Sequence, residues 1–156
     1  LIKFDDIAVF LHHLFYGFIS IILTIVGLRT IVPYVEKKLN MATKQILLEL
    51  LDFDNPLLKQ ISTLATGTYH HSLIVGNLSE SAAEAIGANY LLARVGSYYH
   101  DIGKIENPQF FIENNPDSAD LHDRLIANES AVLIKNHVND GIQLAKKYKL
   151  PKQVID

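Results

Sequence analysis

The chain has 156 residues, 14 Lys and Arg against 17 Asp and Glu, a net charge of −3, and seven histidines. With no cysteine there are no disulfides and no thiolate metal sites, so any metal must be held by His and carboxylates. The slightly acidic balance and the lack of a basic stripe exclude a nucleic-acid partner, and the length suits one domain with a core, or a smaller domain with an appendage.

The first element is apolar. From Ile7 to Leu28 the chain carries no Asp, Glu, Lys or Arg. At about 1.5 Å per residue that run crosses a hydrocarbon core of about 30 Å, so residues 1–32 are read as a transmembrane helix. A cleaved signal peptide fits less well, because Asp5 and Asp6 stand where a basic cluster belongs and no small-x-small site follows. His12 and His13 lie inside the span with no partner assigned. Lys3, Asp5 and Asp6 precede it, and Arg29, Lys37, Lys38 and Lys44 follow, which places the C-terminal side in the cytoplasm of a cell-membrane protein. Pro33 is expected to kink or end this helix. Residues 33–54 then read as an amphipathic connecting helix, with Ile46, Leu47, Leu50 and Leu51 at helical spacing, broken by Asn55-Pro56.

Residues 55–156 show helix signals and hardly any strand signal, so the fold class is all-α. Thr68 is expected to cap a helix through "YHHSLIVGNLSESAAEAI", which Gly87-Ala88-Asn89 ends. "YLLARVGSYYHDIG" reads as a second, short helix. "KIENPQFFIENNPDSADLHDRL" reads as a loop with a short aromatic turn. "ANESAVLIKNHVNDGIQLAKKYKL" reads as a third helix, ended by Leu150-Pro151. The chain opens on Leu1 and closes at Asp156 just past that proline, and both ends read as cuts in a longer product.

Three histidines fall on or beside apolar helix faces: His71, His100 and His137. Ile134, Val138, Gly141 and Ala145 share the face of His137, which turns its ring inward. Each of the three taken alone fits a core histidine bonded to a carbonyl. Three together, with Asp101 beside His100, fit a metal centre, since facing helices in a bundle each supply one inward ligand. A mixed His and carboxylate set suits iron, manganese or zinc better than calcium or magnesium alone. Gly103 is expected to let the chain turn sharply, and Lys104 reads either as a phosphate-binding cation or as a solvated helix end. Tyr98, Tyr99, Phe110 and Phe111 fit core packing better than stacking on a base.

"GTYHHS", "YYHDIGK", "PQFFIENN" and "NHVNDG", at this spacing, resemble the HD superfamily of metal-dependent phosphohydrolases. Within it they are most similar to the seven-transmembrane HD phosphodiesterases of the PgpH type, from the last membrane helix through the first part of the HD domain. The resemblance implies an N-terminal transmembrane helix followed by a truncated HD-domain helical bundle in residues 55–156. It implies an enzyme, a metal-dependent phosphodiesterase converting cyclic di-AMP to pApA with two divalent ions, iron or manganese. It implies His71, His100, Asp101 and His137 as metal ligands, with Asp101 bridging, and Lys104 at the scissile phosphate. His70 is expected to pack or hydrogen-bond as a neighbour.

The same resemblance implies a later paired-His motif and a further Asp that these residues do not include, and Asp140 is too close to His137 to replace that Asp. The residues here are therefore expected to bind metal weakly and to turn over little by themselves. Partners implied are the cyclic dinucleotide, the membrane and a second copy in a homodimer. Two other readings stand beside this one: an HD hydrolase of another nucleotide or of (p)ppGpp, and a non-catalytic HD-like domain that signals or dimerises. The second has to explain four metal-type polar groups in a core, each costly unless partnered.

Overall fold

The computed structural model describes residues 4–39 and 42–156, which form two compact units divided at residues 39 and 40. All regular structure among the described residues is helical, as the fold class required.

The first unit is one helix, α1 (Phe4–Lys38). Its segment Val9–Glu36 is long and apolar enough to cross a bilayer, and none of it is buried within the protein. Phe10, Phe15, Phe18 and Leu23 are each about three-fifths exposed. Of the two outcomes expected at Pro33, a kink or an end, the helix does not take the second: α1 runs on through Glu36 to Lys38. Thr24 and Thr30 donate their hydroxyls to the carbonyls of Ser20 and Val26, one turn back, so their polar groups add none unsatisfied to an apolar helix. Of the charges used to orient the span, Lys3 lies outside the described residues, as do the side chains of Asp5, Asp6 and Lys37.

The second unit begins with α2 (Lys44–Leu50), α3 (Pro56–Leu64), α4 (Thr66–Ala85) and α5 (Tyr90–Tyr99). The connecting segment is thus not one helix over 33–54. Thr43 caps α2 by accepting from the Ile46 N–H, and Leu47 and Leu50 turn into the core. Asn55-Pro56 does more than break α2. The Asn55 side chain accepts from the Leu57 N–H, and Pro56 occupies the first turn of α3, where its missing N–H costs nothing.

Helices α4 and α5 pack as a hairpin across four residues. Gly87 has φ +69°, and the Gly87 and Ala88 N–H groups bond the carbonyls of Glu84 and Ala83. This left-handed stop is the one expected at Gly87. Asn89 then caps α5 by accepting from the Leu92 N–H. Beyond α5 come two 3₁₀ turns, Ile102–Glu106 and Pro108–Phe110, followed by α6 (Ser118–Asp123), α7 (Ala127–Lys147) and α8 (Lys152–Ile155).

Leu57, Leu58, Ile61, Val95, Tyr98, Tyr99, Ile102 and Leu144 make one contiguous core. The Tyr99 hydroxyl donates 2.7 Å to the Leu50 carbonyl inside it. Gly76 lies so near the Tyr98 ring that a Cβ would come within 2.5 Å of it. The tyrosines of "SYYHD" are therefore core residues that press α5 onto α2 and α4, and the His-Asp pair follows directly from that anchored end.

Candidate metal centre

His71 lies in the second turn of α4, His100 caps the C-terminus of α5, and Asp101 leads into the first 3₁₀ turn. The hairpin brings them together. One ligand atom from each of His71, His100 and Asp101 lies within 4.8 Å of the others, and the His71 and His100 rings are 5.7 Å apart. His137 reaches the centre from α7, with Nε2 3.5 Å from Asp101 Oδ1. Asp101 Oδ2 faces the other way, 3.2 Å from His100 Nε2 and 2.8 Å from Lys104 Nζ. The two carboxylate oxygens thus address different histidines.

Both imidazoles are oriented by the same local device. His100 Nδ1 bonds the Ser97 carbonyl at 2.7 Å, and His137 Nδ1 bonds the Ile134 carbonyl, each three residues back. A carbonyl only accepts, so each Nδ1 carries its proton and each Nε2 is turned toward Asp101. Metal-binding histidines are oriented in this manner, by donation of the second ring N–H to a carbonyl or carboxylate.

The electrostatics follow from crowding. Burial pushes the Asp101 carboxyl up, but hydrogen bonds from His100 and Lys104 outweigh it and hold the group well below the usual carboxylate range. The His100 imidazole is raised, first by its hydrogen bond with Asp101 and against the effect of burial. Burial lowers the Lys104 ammonium, while its bonds to Asp101 and Glu113 raise it by more. The centre therefore holds an ionised carboxylate only 9% exposed, an arrangement that persists only with cationic partners.

Several expectations need correction. Gly103 has no left-handed φ and makes no glycine-only turn. It is needed for close approach: a Cβ there would lie 1.8 Å from the His137 carbonyl oxygen and 2.5 Å from the Gly141 nitrogen. Helix α7 rests on the 3₁₀ turn through these two glycines. Thr68 does not cap α4 but sits inside its first turn. The Thr68 N–H donates to Asn114 Oδ1 at 3.0 Å, and its hydroxyl donates to Glu113 Oε1 at 3.0 Å. The face of His137 is only partly inward, since Gly141 and Ala145 are buried while Ile134 and Val138 are 42% and 53% exposed. His70 is exposed and packs edge-on against Tyr69, outside the cluster. Phe111 is buried, with the Lys104 ammonium 4.9 Å above its ring and His137 against its edge. Glu113 and Asn114 carried no assignment in the sequence, although both stand in "PQFFIENN"; the partner they share on α4, Thr68, lies more than forty residues away.

With this geometry in hand, the likeness to known proteins becomes specific. The HD domain profile matches residues 68–156, which contain every residue of the centre. A Bacillus subtilis (strain 168) protein, cyclic-di-AMP phosphodiesterase PgpH, is 47% identical over 140 residues, 90% of this chain and 19% of its own length. The protein of the same name from Listeria monocytogenes is 44% identical over 126 residues, 81% of this chain and 18% of its own. This chain thus spans less than a fifth of either curated relative. The crystal structure of the L. monocytogenes phosphodiesterase PgpH HD domain in complex with cyclic-di-AMP is 48% identical, with a TM-score of 0.60 over 65% of this chain and 46% of that one.

Proposed function

The chain belongs to the HD-domain family, and we propose that its helical unit carries the catalytic centre of a metal-dependent phosphodiesterase that opens cyclic di-AMP to linear pApA. The observation that carries this reading is the double-sided Asp101. Its oxygens face His100 and His137, and both rings have Nδ1 committed to a carbonyl and Nε2 turned inward. The donor set of three imidazoles and one carboxylate suits two ions of iron or manganese.

In this reading His71, His100, Asp101 and His137 would hold the ions, with the two oxygens of Asp101 available to both sides of the centre. Bound ions would supply an activated water and charge neutralisation at the phosphodiester. The chain's own groups do the rest. Asp101 stays ionised because Lys104 and His100 hold it so. The Ser97 and Ile134 carbonyls fix the ring orientations. Lys104, with its side chain 14% exposed, presents a fixed positive charge where a phosphate oxygen gains negative charge. Helix α1 anchors the protein in the cell membrane, and Arg29, Lys38 and Lys44 on its C-terminal side favour a cytoplasmic HD unit.

Elemental analysis and product analysis on the same preparation test the proposal. For the longer protein that carries this unit, about two iron or manganese ions per molecule and release of pApA are expected, with both lost in His100→Ala and Asp101→Ala. Intact cyclic di-AMP alongside turnover of another nucleotide or (p)ppGpp would move the substrate assignment. A protein that binds no metal and turns over nothing favours the signalling reading.

A further inference from the structure

Lys104 is gripped from two sides: its Nζ lies 2.8 Å from Asp101 Oδ2 and 2.6 Å from Glu113 Oε1. One of these carboxylates belongs to the metal-type cluster. The other does not: among the described residues, the side-chain partners of Glu113 are Lys104 and Thr68. We infer that Glu113 is a positioning residue, which keeps the Lys104 ammonium aimed into the centre while the Asp101 carboxylate is committed to cations.

The physical reason is charge balance. An ammonium beside a carboxylate that bridges two dications is repelled by those dications, and burial strengthens that repulsion. Asp101 alone then holds Lys104 poorly. A second, uncommitted carboxylate on the far side offsets the repulsion and fixes the direction in which the amine points.

Glu113 is itself fixed from α4. The Thr68 hydroxyl donates to Glu113 Oε1, and the Asn114 amide donates to that hydroxyl at 2.9 Å. Asn114 Oδ1 also accepts the Thr68 N–H, and α4 has no side-chain cap of its own before it, so the loop supplies the cap. Gly67 makes the approach possible, since a Cβ there would lie 1.6 Å from the Glu113 carbonyl oxygen. His71 follows Thr68 by less than one turn. A single latch between the loop and α4 therefore sets both the helix that bears His71 and the carboxylate that aims Lys104.

This inference rests on the phosphodiesterase reading for its catalytic part only, and two readouts keep the two apart. Glu113→Gln retains an oxygen to accept from Thr68 and removes the charge. The first readout is the rate at which an amine-acylating reagent labels Lys104, followed by mass spectrometry on the metal-free full chain. Labelling several-fold faster in Glu113→Gln than in the unsubstituted protein is expected, with an unchanged melting temperature. Equal labelling overturns the inference whether or not the protein hydrolyses anything.

The second readout is a double-substitution cycle with Lys104→Gln in the longer protein that carries this unit, under saturating cyclic di-AMP. Glu113→Gln is expected to lower kcat by about tenfold to a hundredfold, with metal content retained. In the Lys104→Gln background the same change is expected to have almost no further effect. An equal loss in both backgrounds means that Glu113 acts other than through Lys104 and overturns the inference. If the unsubstituted protein leaves cyclic di-AMP intact, the phosphodiesterase reading fails, and the labelling rate alone decides whether Glu113 positions Lys104.

Discussion

His100 stands at the end of a helix whose inner face is closed, whereas His137 stands midway along a helix whose first half is open. Behind His100, the side chains of Leu91, Val95, Tyr98 and Tyr99 are all buried. Around His137, burial begins only at Gly141, and Val132, Ile134 and Val138 are between 42% and 53% exposed. Both rings use the same bond from Nδ1 to a carbonyl three residues back. The difference lies in what holds the backbone. His100 and Asp101 inherit their place from side-chain packing. His137 inherits its place from a backbone contact, Gly103 against its own carbonyl and Gly141.

That contrast can be broken at several points, from the strongest effect to the weakest. Gly103→Val inserts side-chain atoms where only backbone lies, and an overpacked, rigid contact costs about 3 kcal/mol. Urea denaturation measures the loss, and metal analysis of the folded fraction is expected to show less bound ion, because α7 is pushed off. Val95→Ala, at a fully buried position, should cost about 2 kcal/mol by leaving a cavity behind the His-Asp pair. Tyr99→Phe removes the bond to the Leu50 carbonyl and leaves that buried acceptor unpaired, for about 1 kcal/mol by the same denaturation assay. Val138→Thr, on the open half of α7, should stay within roughly 0.5 kcal/mol. A loss as large as that of Val95→Ala would show this face to be covered in the protein, and the contrast between the two histidines would collapse.

The parts of the molecule that were legible in sequence are those set by local rules. The charge-free run gave α1, glycine at φ +69° gave the end of α4, and the apolar tyrosines beside His100 gave a core helix. Local rules failed where a distant residue takes over. Thr68 has the right chemistry for a cap, but its bonds go to Glu113 and Asn114, and no periodicity near Thr68 encodes that. Gly103 was noticed for its flexibility, yet the reason for it lies on α7. The His-Asp pair was visible because its residues are adjacent. The Lys104–Glu113 pair was not, because nine positions and two 3₁₀ turns separate its members.

The four-residue link between α4 and α5 also bears on the order of events during folding. Closing a short loop loses little chain entropy, so the hairpin carrying His71, His100 and Asp101 can form early and from local contacts. His137 comes from a helix that starts at Ala127 and meets Gly103 only after the intervening loop has closed on α4. The centre thus has two parts of different reach along the chain: a trio brought together by a local hairpin, and His137, whose place depends on the packing of α7 on Gly103.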